Sequence, residues 1–187
     1  MASIRKNKRQ RLVEAADRLV QRHGFNRTTL ADLAKTSRVA LGNIHYYFRT
    51  KDALGEALIE DRAEKYRTLR DRWGKLPEPK DRLIAFIQMI ADKGDMLARN
   101  GCPIGSLCQE LSKEGGKLAN RASNMFTELL SWLEAQFQEL GQGKRSAGLS
   151  IHLISAIEGA ALLTHTFQTP SYIVNETDRM KEWIRSL

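Results

Sequence analysis

A chain of 187 residues, 42% hydrophobic and with only four prolines, can bury a core and has room for one domain or two small ones. Glu158 interrupts its most apolar run, LISAIEGAALL at 153–163, short of the roughly 18 apolar residues a membrane helix needs. The basic N-terminus has no apolar segment behind it to act as a secretory signal, so the expectation is a cytoplasmic protein.

The net charge of +8 is concentrated at one end. Residues 1–51 hold 12 Lys and Arg against Glu14, Asp17 and Asp32, a surplus of nine, whereas the remainder holds 18 basic and 19 acidic residues. A basic module on a neutral body suits a polyanion partner, because cations that displace condensed counterions supply most non-specific affinity for nucleic acid. A solvated basic tail is the alternative if the segment lacks periodic structure.

Periodic structure is present. Leu12, Ala15, Ala16, Leu19, Val20 and His23 form a helical stripe, and Gly24 stands where a left-handed C-terminal cap belongs. Thr29 and Asp32 read as a capping box opening a short second helix with Leu30, Leu33 and Ala34 on its buried face. A third helix, Ala40 to Tyr47, is too short to be stable without docking on its neighbours. Three helices in fifty residues, the last two short and joined by a tight turn, make a helix-turn-helix. Thr50 caps a fourth helix over about 51–72, and KLPEPKD at 75–81 breaks the pattern. Beyond it the pattern is helical only, over about 81–99, 103–112, 117–140, 147–168 and 172–186. The expected fold is therefore all-α with about nine helices: a three-helix helix-turn-helix DNA-binding domain at 1–50 and a helical domain at 51–187.

The stretch GFNRTTLADLAKTSRVALGNIHYYFRTKDAL, residues 24–54, resembles the DNA-binding signature of the tetracycline-repressor (TetR) family. The shared marks are a glycine after the first helix, paired threonines opening the second, a glycine early in the recognition helix, Tyr-x-Phe ending it and Lys-Asp-x-Leu opening the fourth. GCPIGSLCQEL at 101–111 is similar to a segment in the ligand domain of some members. The resemblance implies a homodimeric regulator, usually a repressor, released from DNA by a small-molecule inducer bound in its C-terminal domain, so that 51–187 would be a ligand-binding and dimerisation domain. An activator would use the same DNA domain. Leu41 departs from the pattern, because members often carry Lys or Arg there, and this bears on the operator sequence.

Docking geometry assigns the recognition-helix residues. Gly42 permits close approach to the major groove, Asn43 offers an amide to adenine or phosphate, and His45 and Tyr46 face the groove. Ile44 and Phe48 should hold the helix to its scaffold. Tyr47 is either core or, by the resemblance, a phosphate contact. Thr28 and Thr29, with free N–H groups at a helix N-terminus, favour an anionic oxygen, and Lys51 is placed similarly. Arg38 is counted with them. Arg5, Lys6, Lys8 and Arg9 precede the module and would reach along the backbone or into the minor groove. Two such modules on a palindromic operator require a dimer.

The dimer stripe is read as His152, Ala156, Gly159, Ala160, Leu163 and Phe167 on the helix over 147–168, with Ile173, Thr177, Met180, Ile184 and Leu187 on the last helix. A monomer burying these stripes internally is the competing reading. Ile154, Ser155, Glu158 and Leu162 should face inward, making Glu158 either a structural partner or a polar handle in a ligand cavity. Met89, Leu107, Phe126, Leu129 and Leu130 line the same cavity or are plain core.

Cys102 and Cys108 match neither a zinc site nor a disulfide framework. Cys102, at a predicted helix start where free N–H groups lower a thiol pKa, allows an alternative in which the repressor senses an oxidant or electrophile. Coupling to DNA would run along the helix over 51–72. No HExxH, phosphate loop or G-x-S-x-G occurs and the four histidines are scattered, so the chain reads as no enzyme, with no catalytic residue, metal or cofactor. The third class, a basic membrane-surface binder, would depend on anionic lipid, and no membrane partner is expected.

Overall fold

The computed structural model describes residues 8–187. Arg5 and Lys6 lie outside the described residues. Among those residues there are ten α-helices, one 3-10 turn at Gly143–Arg145 and no strand. The helices are α1 (Lys8–His23), α2 (Leu30–Ser37), α3 (Leu41–Tyr47), α4 (Lys51–Trp73), α5 (Pro79–Ala91), α6 (Gly94–Asn100), α7 (Pro103–Glu114), α8 (Gly116–Glu139), α9 (Ser146–Thr166) and α10 (Ser171–Ser186).

The all-α expectation holds, with ten helices in place of about nine. The helix expected over 81–99 is two, because the ladder tightens at Lys93, whose N–H bonds the carbonyl of Ile90 three residues back. Periodicity does not register that break, since the residues on both sides suit a helix.

The chain clusters into two compact units. The first comprises the residues up to Lys65 together with Leu107–Ala122, and the second Tyr66–Ser106 with Ser123–Leu187. The partnership of the helix-turn-helix with 107–122 is not anticipated by a linear division at residue 50.

In the first unit, α1 buries Leu12, Val13, Ala15, Ala16 and Val20. Gly24 closes it at φ +82°, its N–H bonding the carbonyl of Val20 at 2.9 Å. The capping box is formed: the Asp32 N–H donates to Thr29 Oγ1 at 3.1 Å, and the Thr29 N–H to Asp32 Oδ2 at 2.9 Å. The seven-residue α3 holds its place through Ile44, 0% exposed, and Phe48, 1% exposed, which pack with Leu12, Leu33, Leu54 and Ala57. Each such burial stabilises by roughly 1.5–3 kcal/mol, which a helix of two turns does not supply by itself. Arg62 of α4 closes an ion pair with Asp17 of α1 at 2.8 Å, both largely withdrawn from solvent.

The second unit packs α10 against α5 and α9, and α6 against α9. Its core runs through Leu83, Phe86, Ile87, Leu133, Phe137, Leu153, Ile173 and Ile184. Trp73, Phe86 and Trp132 cluster with ring centroids 5.5–6.1 Å apart.

Candidate nucleic-acid interface and ligand cavity

Because α3 spends Ile44 and Phe48 on the core, the rest of its surface faces solvent. Gly42, Asn43, His45 and Tyr46 are exposed, Tyr46 at 81%. Tyr47 is half-buried and meets Tyr46 edge to face, centroids 5.1 Å apart. Arg38, at the left-handed C-cap of α2 (φ 55°), is exposed, as is Leu41 at 43%. A groove beside α2 is lined by the cations Arg27, Lys35 and Arg38 together with Leu19, His23, Thr28, Asp32 and Thr36; of the three cations the sequence singles out Arg38. Their signal was the local charge, without the position that distinguishes a wall of the groove from a solvated face.

Two residues expected at the surface are otherwise engaged. Thr28 is 4% exposed and its hydroxyl donates to the Gly24 carbonyl at 2.7 Å, so it shapes the turn before α2 rather than presenting a free hydroxyl. The Lys51 ammonium donates to the Asn26 carbonyl at 2.8 Å and lies 4.9 Å from the Phe25 ring centroid. Thr29 is exposed, but its hydroxyl and N–H both bond Asp32, which draws the Asp32 carboxyl below its ordinary value. Lys8 and Arg9 sit in the first turn of α1, and the Arg9 guanidinium lies 5.3 Å over Phe48.

The second unit contains a small, partly open cavity of about 20 Å³. Its wall is mostly apolar, with Glu158 of α9, Lys93, Tyr66 and Cys102 as its polar groups. The Cys102 thiol, just before α7, donates to Glu158 Oε1 at 3.0 Å and accepts the Gly105 N–H at 3.4 Å. A Cβ at Gly105 would overlap Glu158 Oε2, so a side chain there would push the carboxylate aside. Burial raises the Glu158 carboxyl above its ordinary value, the thiol's bond offsetting part of this. Burial first, and the neighbouring Glu158 second, push the Cys102 thiol up to about 12. The expected lowering at the start of α7 is thereby reversed: backbone N–H groups do act on the sulfur, but desolvation outweighs them.

Of the ten cavity residues expected, Cys102, Phe126, Leu129, Ile154 and Glu158 line it. Met89 and Leu130 pack on the core outside it, and Leu107 is buried in the other unit. Ser155 and Leu162 are exposed, Leu162 at 65%, because Glu158 sits at the edge of the buried arc of α9 and these two lie a further 40–60° round, at 100° per residue, on the solvent side. Phe86, Ile90, Met96, Leu97, Ile157 and Ala161 complete the apolar wall, with Tyr66 and Lys93 beside them. Nothing in their pattern separates lining from ordinary core.

The outer side of α9 carries Ile151, Leu162, Leu163 and Phe167 at 50–65% exposure, with His152 and Gly159 among them. Tyr172 and Val174 of α10 are also exposed, and Tyr172 packs against Phe167 at 5.9 Å. Ala156 is half-buried and Ala160 is 8% exposed, both packed into the core. The stripe expected on the last helix is a correction: Ile173, Thr177, Met180 and Ile184 are at most 4% exposed, spent on the protein's own core, and Leu187 packs at its edge. Residues Gly143–Thr166 are long and apolar enough, by length and composition, to cross a membrane, with a mean hydropathy of 1.4. That apolarity divides between the core and the outer stripe.

Family models match both parts of the chain: "Bacterial regulatory proteins, tetR family" over residues 12–58, and "Transcriptional regulator LmrA/YxaF-like, C-terminal domain" over 79–175, more than half of the chain. The chain belongs to the TetR family. It is a transcriptional regulator with a DNA-binding domain, not an enzyme. Among its TetR-family relatives, the transcriptional repressor NemR of Escherichia coli is 29% identical over 111 residues, 57% of this chain and 53% of NemR, so the match spans about half of that relative. The transcriptional regulator LmrA of Bacillus subtilis is 25% identical over 162 residues, 84% of this chain and 86% of LmrA. A TetR regulator from Legionella pneumophila has the same fold, with a TM-score of 0.86 at 21% identity over 99% of this chain and 98% of that one. The first match contains every candidate DNA contact from Thr28 to Lys51, and the second contains the Glu158 cavity from Phe86 onward.

Proposed function

We propose that this TetR-family chain is a homodimeric repressor that grips a palindromic operator with α2 and α3 and lets go when a small organic molecule occupies the cavity around Glu158. The observation that carries the reading is the division of α3: Ile44 and Phe48 locked in the core, Asn43, His45 and Tyr46 held out on the opposite side. A short helix anchored this way can enter the major groove as a rigid reader, while Lys35, Arg38 and Arg27 at the neighbouring groove meet phosphates. Specific affinity calls for two such readers about one helical turn of DNA apart, or a multiple of it. The outer stripe of α9 is the apolar surface a second copy would cover. Repression is favoured over activation by the name of NemR. A regulator of this kind works on DNA in the bacterial cytoplasm.

Inducer binding would shift the population toward a spacing of the two readers that misfits the operator, with α4, which begins next to α3, as the connecting element. The thiol-sensing alternative is less favoured, because Cys102 is held as a neutral thiol.

The test is fluorescence anisotropy with the duplex upstream of the chain's own gene and with a scrambled duplex. The expected result is selective binding that falls steeply with salt and is lost in Tyr46→Ala. Equal affinity for both duplexes would overturn the reading.

A further inference from the structure

We propose that Leu41 selects thymine: in each half of the operator its side chain packs on the C5 methyl of a thymine in the major groove. This rests on the reading of α3 as the helix that enters that groove, and it names a base that the helix chooses.

Among the described residues of the first unit, the exposed large apolar side chains are Leu41 and Tyr46, both on α3. A single exposed leucine is ordinary on a protein surface. Leu41 differs by its place. It is the first residue of α3, and the N-terminal residues of a docked recognition helix are the ones that reach base edges. Val39, two positions earlier, packs against the core of the first unit, whereas Leu41 stands 43% exposed. Its neighbours Ala40 and Gly42 are exposed and bring no polar side chain. A Cβ at Gly42 would meet nothing within 4 Å, so the start of the helix is both open and apolar.

The groove then selects the base. Guanine offers N7 and O6 there, adenine N7 and N6, cytosine N4 and thymine O4, and the one apolar group among them is the thymine methyl. The leucine side chain neither donates nor accepts. Packed on guanine, adenine or cytosine it would strip water from a polar edge and return no hydrogen bond. On thymine it covers a methyl instead, which favours binding about fourfold per half-site and about fifteenfold over the two. Tyr46 lies five residues further on, about 140° round the helix, so any methyl it touches is a different one.

The test starts from a pool of random duplexes, from which wild type and Leu41→Ala each select their binding sites. Wild type should enrich a thymine at one position in each half of a palindrome. Leu41→Ala should enrich the same palindrome with that position unspecified, and its melting temperature should be unchanged because the side chain removed is exposed. Fluorescence anisotropy then compares the wild-type site with a copy in which those two thymines are uracil, which keeps the pairing and removes only the methyls. Wild type should bind the uracil copy about ten- to twentyfold more weakly, and Leu41→Ala should bind both copies within about twofold. A palindrome whose base preferences Leu41→Ala leaves unaltered, equal binding of the two copies by wild type, or an equal loss in Leu41→Ala overturns the assignment while the operator reading stands. No enriched sequence at all overturns that reading and the proposal with it.

Discussion

The Glu110 carboxylate of α7 accepts the backbone N–H of Asn26 at 2.9 Å and at the same time overhangs Gly24, where a Cβ would come within 2.7 Å of Oε1. The turn between α1 and α2 is held by a side chain 84 residues away in sequence. Gly24→Ala therefore meets two penalties, a positive φ and a collision, and should cost about 1–2 kcal/mol or more. Glu110→Ala should cost about 1 kcal/mol through the lost hydrogen bond. In a double-mutant cycle followed by urea unfolding, the pair should cost less than the sum, because removing Glu110 removes the collision. Strict additivity would show that the two do not interact.

Glu158 makes stability depend on pH with a definite sign. Its carboxyl is raised in the folded chain, so the folded state holds a proton that the unfolded state has already released. Stability from this group is greatest below the ordinary carboxylate range and falls as pH rises from there through the raised value. Glu158→Gln should melt higher than wild type at neutral pH and gain little at pH 4. A variant that melts lower at every pH would show that the ionised carboxylate is a net stabiliser here.

The Cys102 thiol, pushed up to about 12, should be a poor nucleophile. Iodoacetamide at pH 8, read by mass spectrometry, should leave Cys102 unlabelled far longer than a free thiol, and Glu158→Gln should speed its labelling several-fold by removing the adjacent charge. Wild-type Cys102 reacting faster than free cysteine would revive the thiol sensor.

The apolar stripes of the last two helices should respond oppositely to charge. Leu163→Glu, at a position 50% exposed, should leave melting nearly unchanged and yield monomers in sedimentation, with operator affinity lost alongside. Ile173→Glu, at a fully buried position, should unfold the second unit, a cost of more than about 4 kcal/mol. Dimers persisting in Leu163→Glu would place the interface elsewhere.

On α3, Tyr46→Ala and His45→Ala should leave the melting temperature alone and cost about 1–3 kcal/mol each in operator binding. Ile44→Ala should cost about 2–5 kcal/mol of stability. Lys35→Ala should weaken all duplexes alike and lower the salt slope by about one.

The helix-turn-helix was legible because its signals are local. Thr29 and Asp32 are three residues apart, Gly24 ends its own helix, and Ile44 and Phe48 fall four apart on one side of a helix, so spacing alone places them. Charge counted along the chain located the basic module for the same reason. What spacing cannot say is which neighbour covers an apolar stripe. Ile173, Thr177, Met180 and Ile184 form as regular a row as a dimer face would, yet α5 and α9 cover them. Leu162 follows Glu158 by one turn, yet one is outside and the other lines the cavity.

The sequence by itself determined an all-α chain, its basic reader and the carboxylate at Glu158, since helix periodicity, caps and charge are properties of residues a few positions apart. The tertiary structure alone decided that Thr28 and Lys51 are tied to the turn at 24–26, that Glu110 clasps that turn, and that Cys102 is a neutral thiol against Glu158. Each of these depends on desolvation or on a contact between residues that only the folded chain brings together, and neither is encoded in any local spacing.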